Sequence, residues 1–106
     1  MQALSFETLA AIANTHGTPV YVYDADKISQ QYRQLKTAFQ DSDTRFFYAC
    51  KSLTNINILK HVAATGCDID CSSINEAKLA LHVGVAPERV LYTSNGIHFS
   101  EIQEAV

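Results

Sequence analysis

The order of apolar and polar positions divides the chain into helical stretches and short extended runs. Leu9, Ile12 and Ala13 share one face of a first helix that Ser5 can cap. His16-Gly17 closes this helix, and Pro19 keeps it from resuming. Val20-Tyr21-Val22-Tyr23 is β-branched and aromatic, which predicts a strand. Asp24 or Asp26 then caps a long helix, with Ile28, Tyr32, Leu35 and Phe39 on one face. After a polar loop the pattern becomes regular. Residues 45–50 form a strand, and residues 55–65 a helix with Ile58, Leu59 and Val62 inward, ended by Gly66. Residues 67–71 are a second short strand. Ser73-Ile74-Asn75-Glu76 has the form of a capping box and opens a helix that stops at Gly84. Val90-Leu91-Tyr92 is a third strand, and Ser100-Glu101-Ile102-Gln103 predicts another boxed helix.

The strands after residue 44 begin near 45, 67 and 90, at intervals of 22 and 23 residues. Such a βα repeat implies parallel pairing with right-handed crossovers. Two architectures use it, the eight-fold barrel and the doubly wound open sheet. No G-x-G-x-x-G turn follows any strand, so the dinucleotide-binding form of the open sheet lacks its phosphate cradle. A whole barrel takes roughly 250 residues. At these intervals eight repeats do not fit in 106 residues, so a barrel would be present only as its first repeats, and the expectation is then a truncated piece of a longer chain.

Composition narrows the functional classes. The chain is 47% hydrophobic and 18% charged, enough to bury a core. A net charge of -3 does not suit a nucleic-acid surface. No apolar run approaches the length of a membrane span, and residues 1–10 lack the basic start of a secretory signal. Cys50, Cys67 and Cys71 are odd in number and contain no C-x-x-C pair. This favours buried thiols over a metal site and points to a reducing cytoplasm.

One residue stands out chemically. Lys51 directly follows an apolar strand, at the end that forms the active-site face of a βα barrel. Alternation groups Phe47, Ala49 and Lys51 on one side and Phe46, Tyr48 and Cys50 on the other. Inside a barrel mouth, small Ala49 would leave room for a flat ligand, and desolvation would favour a neutral, nucleophilic amine. Asp70, near the end of the next strand, could orient the lysine. The plainer readings are a solvated lysine opening a loop and an aspartate that helps cap a helix.

These residues form a known set of blocks. Gly17-Thr18-Pro19-Val20-Tyr21-Val22-Tyr23-Asp24, Phe47-Tyr48-Ala49-Cys50-Lys51-Ser52 and Asn57-Ile58-Leu59-Lys60 occur in order. Ile69-Asp70-Cys71-Ser72-Ser73, with Asn75-Glu76, and Pro87-Glu88-Arg89-Val90-Leu91-Tyr92 follow. Together they resemble the N-terminal part of the diaminopimelate decarboxylases. These belong to the fold-type III pyridoxal-phosphate enzymes, with ornithine and arginine decarboxylases and, more distantly, alanine racemase. The resemblance implies an α/β fold: a partial (β/α)8 TIM barrel of the alanine-racemase-like type, first repeats only. Residues 1–24 would supply the helix and opening strand of a β-domain completed by the C-terminal part of the protein, and residues 25–106 the first part of the barrel.

The resemblance also implies roles. Lys51 would be the catalytic lysine that binds pyridoxal 5'-phosphate as a Schiff base. Ala49 would line the cofactor pocket, and Asp70 would lie close to the lysine and the pyridine ring. The implied reaction converts diaminopimelate to lysine and carbon dioxide, in a homodimer with active sites at the subunit interface. The phosphate loop, the pyridinium partner and the proton donor would come from later in the chain, so these residues alone are expected to be inactive. Family members often carry a His-Gly-Asn-Asn-Lys-like stretch after the third repeat strand. Here Thr93 holds the His position and Ile97 the Lys position. Other readings are an ornithine- or arginine-type decarboxylase, a racemase, a non-catalytic cofactor-binding relative, and a small open-sheet domain without enzymatic role.

Overall fold

The computed structural model describes residues 4–106. Two helices, α1 (Phe6–His16) and α2 (Ala25–Ala38), precede the repeat. The repeat itself runs β1 (Phe47–Ala49), α3 (Ile56–Ala64), β2 (Asp68–Cys71), α4 (Ile74–His82), β3 (Val90–Tyr92) and α5 (Phe99–Ala105). Short 3-10 turns at Cys50–Ser52 and Pro87–Arg89 flank the first and last of these strands. The strands form one parallel sheet in the order β1-β2-β3, as the βα spacing requires.

The register defines the sheet's two faces. Phe47, Tyr48 and Ala49 pair with Asp68, Ile69 and Asp70. Ile69, Asp70 and Cys71 pair with Val90, Leu91 and Tyr92. Ile69, Cys71 and Cys50 are fully buried against Leu59, Val62, Ala80 and Val85 on the helical side. Alternation sends Phe47, Ala49, Asp68, Asp70 and Leu91 to the opposite side, which becomes the interior of a closed barrel.

Local chemistry explains the connections. Asn55 caps α3 by accepting from the Asn57 and Ile58 amides at 3.0 and 3.3 Å. Gly66, at φ 91°, takes a left-handed conformation that lets α3 turn directly into β2.

Several expectations need correction. Val20-Tyr21-Val22-Tyr23 forms no ladder among the described residues, and Tyr21 is 89% exposed. A strand needs a neighbour for its backbone groups, and the described chain offers this segment none. The strand expected over 45–50 shortens to Phe47–Ala49, because Cys50 begins a 3-10 turn. The α4 box is only half formed. Ser73 Oγ accepts from the Glu76 amide at 3.2 Å, but the Glu76 carboxylate accepts from the amide and hydroxyl of Ser72. The α5 box sits two residues early, with the Glu101 carboxylate accepting from the His98 amide at 3.2 Å. On α2, Ile28 and Tyr32 reach the core, whereas Leu35, beside an apolar cavity, and Phe39, just past the helix, stay about half exposed.

Candidate functional site at the strand-end lysine

Three strand ends meet at the carboxyl edge of the sheet. On β1 the chain turns sharply after Ala49. The turn closes through the Leu53 amide, which donates to the Cys50 carbonyl at 3.2 Å. The Tyr48 hydroxyl donates to the Leu53 carbonyl at 3.0 Å and ties the turn back to its own strand. Cys50 is sealed in the core, and Lys51, the next residue, is exposed. The lysine therefore stands on a short, anchored turn rather than on a long loop. Among the described residues it forms no ion pair. Its exposure also means that the described residues do not supply the desolvation expected from the sequence.

The ladder places Asp70 directly beside Ala49. The Asp70 carboxylate makes no ion pair with Lys51; Thr93 Oγ1 donates to its Oδ1 instead. The Thr93 amide continues the ladder by donating to the Cys71 carbonyl at 2.9 Å. Lys51, Ala49 and Asp70 thus lie at one sheet edge, although lysine and aspartate are not in contact.

The thiols behind this edge are quiet. Burial, then the charges of Cys50, Glu76 and Asp70, push the Cys71 thiol up to about 12. Burial, then Glu76 and Asp70, push Cys50 up as well. Neither is a nucleophile at neutral pH.

At the opposite end of the same face a different cluster forms. Asp68 accepts from Arg45 Nε and Nη2 at 2.9 and 2.7 Å and from Arg89 Nε at 2.9 Å. Arg89 Nη2 also donates to the carbonyls of Ala63 and Cys67. Burial pushes the Asp68 carboxyl up, but the hydrogen bonds from Arg89 and Arg45 together outweigh it and hold the group below its ordinary value. Asp68 and its partners Arg45 and Arg89 are not among the site residues expected from the sequence. The same two-residue parity, counted back from Phe47 and Leu91, would have placed both there.

A separate cavity of about 380 Å³ lies on the helical side, between α2, β1 and α3. Ile28, Tyr32, Phe46, Tyr48 and Val62 are among its walls, and no charged side chain lines it. It is distinct from the lysine edge and offers no acid–base chemistry.

A family model described as "Pyridoxal-dependent decarboxylase, pyridoxal binding domain" matches residues 25–106. The chain belongs to this family. Within the pyridoxal-dependent decarboxylases, it is 40% identical over 97 residues to the diaminopimelate decarboxylase of Methanothermobacter thermautotrophicus, covering 90% of this chain and 23% of that protein. The crystal structure of Helicobacter pylori diaminopimelate decarboxylase complexed with L-lysine superposes with a TM-score of 0.84 at 36% identity, covering 92% of this chain and 25% of that one. The Vibrio vulnificus lysine/ornithine decarboxylase complexed with putrescine gives 0.86 at 28% identity, covering 97% and 29%. The chain thus spans about a quarter of the length of these relatives. Its three parallel strands are the first repeats of the decarboxylase barrel, the fold class expected from the sequence.

The residues at the sheet edge suit this cofactor. Among the described residues Lys51 offers an amine free of any ion pair, and Ala49 adds little bulk beside it. The carboxylate of Asp70 lies on the next strand.

Proposed function

We propose that the protein carrying this chain is a pyridoxal-phosphate-dependent amino-acid decarboxylase acting on diaminopimelate, with lysine and carbon dioxide as products. The observation that carries the reading is Lys51, an unpaired amine on an anchored turn at the carboxyl edge of a parallel sheet. The likeness to diaminopimelate decarboxylases at 36–40% identity supports the substrate.

In this reading Lys51 holds the cofactor covalently through Nζ. Ala49 leaves space for the flat ring, and Asp70 sets the local charge. When bound, pyridoxal phosphate supplies the electron sink for loss of a carboxylate. The Lys51 amine would hold the cofactor at rest and would stand beside the substrate during turnover. The Cys50 anchor and the Tyr48 bond to Leu53 keep the amine on a rigid element throughout.

The division at residue 24 belongs to the same proposal. Residues 1–24 contribute a helix and a strand to a β-domain, and residues 25–106 begin the barrel. The unpaired Val20-Tyr21-Val22-Tyr23 segment and a family match that starts at residue 25 support it. A homodimer with shared active sites and a cytoplasmic location complete the reading. Three free cysteines favour a reducing compartment. Among the described residues no helix is long and apolar enough to cross a membrane.

Borohydride reduction of the full protein with pyridoxal phosphate is expected to leave a pyridoxyl group on Lys51, located by peptide mass spectrometry. A label on another lysine, or none, rejects the assignment. Carbon dioxide release from diaminopimelate, compared with ornithine, arginine and lysine, tests the substrate.

A further inference from the structure

We infer that Thr93 is a positioning residue for Lys51 that acts through Asp70, an inference resting on the role of Lys51 proposed above. β2 lies between β1 and β3, so Asp70 has a neighbour on each side. On one side its ladder partner is Ala49, two residues before Lys51. On the other its partner is Leu91, two residues before Thr93. Lys51 and Thr93 therefore occupy matching positions, each two residues beyond a residue paired with Asp70.

The carboxylate engages only one of these flanks. Thr93 Oγ1 donates to Asp70 Oδ1, while Asp70 and Lys51 form no ion pair. The Thr93 bond to the carboxylate is itself charge-assisted, and it occupies an Asp70 oxygen for which a lysine ammonium would otherwise compete. The tether is firm because the Thr93 backbone is held in the ladder by its bond to Cys71. Thr93 thus keeps a negative charge at the site without letting it clamp the amine that must react. Glu76, Cys50 and Cys71 complete the nearby titratable groups on the helical side. Of these three, the two thiols are donors, and neither bonds to Asp70.

The test follows the chemistry of Lys51 rather than turnover. Cofactor-free full protein is mixed with pyridoxal phosphate, and the adduct is reduced at intervals. The lysine amine condenses with the cofactor aldehyde, water leaves, and borohydride hydride reduces the carbon–nitrogen double bond. Thr93→Val keeps the shape and removes the donor. It is expected to slow labelling of Lys51 about tenfold, whereas Thr93→Ser stays within about twofold of the wild type. In an Asp70→Asn background, Thr93→Val adds no further slowing, because the partner it restrains is already neutral. A melting curve for each variant confirms that it is folded. Wild-type labelling in Thr93→Val, slow labelling in Thr93→Ser, or the same slowing in the Asp70→Asn background each overturns the inference. Absence of a Lys51 label in the wild type overturns the underlying proposal instead.

Discussion

Asp68 and Asp70 stand two residues apart on the same strand and the same face, yet they live in opposite circumstances. Asp68 is buried, and two arginines saturate both its oxygens. Asp70 is partly exposed, takes one hydrogen bond from Thr93, and leaves the neighbouring Lys51 unpaired. In a βα barrel the amino ends of the strands hold the fold and the carboxyl ends do chemistry. Within four residues β2 shows both: an acid spent on structure, and an acid kept available. Completeness of pairing marks the stable end, and in the proposed function unspent bonding capacity marks the working end.

Lys51→Ala is the strongest way to break this contrast. It is expected to abolish the reducible cofactor adduct while leaving urea unfolding of the full protein within about 0.5 kcal/mol of the wild type, since the side chain is exposed. A large loss of stability would place Lys51 on the structural side of the comparison. Asp68→Asn should do the reverse. It leaves two guanidinium groups without their carboxylate and costs about 2–3 kcal/mol in urea, a value moderated by the exposure of Arg45. Labelling of Lys51 should survive in that variant.

Acid titration sharpens the same point. The folded Asp68 carboxyl lies below its ordinary 3.8, so its stabilising contribution is present above that value. It is lost as pH falls below 3.8 and through the folded value. The stability difference between wild type and Asp68→Asn should shrink over that window, and a constant difference would argue against an ionised pair. Cys50 and Cys71, behind the working end, should resist alkylation at mildly alkaline pH until the protein unfolds, because burial holds both thiols protonated. The smallest effect concerns Tyr92, whose buried hydroxyl has no partner among the described residues. Tyr92→Phe is expected to be neutral or stabilising by up to about 1 kcal/mol in the same urea experiment.

Much of this was legible in the sequence. The apolar periods, Gly66 and Gly84 delimit the βα repeat, and the observed strands begin within two residues of the expected positions. Lys51, Ala49 and Asp70 share a sheet edge because strand endings and parity are local properties. What could not be read depends on partners distant in sequence. Val20-Tyr21-Val22-Tyr23 has strand composition, but pairing is decided by a neighbour, and the described chain provides none. At α4 the amide and hydroxyl of Ser72 take the Glu76 carboxylate expected to serve Ser73, and at α5 the box forms between His98 and Glu101 rather than Ser100 and Gln103. Thr93 was noticed as a departure from a family pattern; its bond to Asp70 emerges only when β3 is laid against β2.

The order β1-β2-β3 is also the order of synthesis. Each strand finds its neighbour after a separation of about twenty residues, so every pairing closes a short loop at modest entropic cost. Every ladder pairing that relates Lys51, Asp70 and Thr93 lies within residues 47–93. The edge that carries the proposed site therefore needs only neighbour-to-neighbour pairing, whereas closing a barrel joins strands distant in sequence.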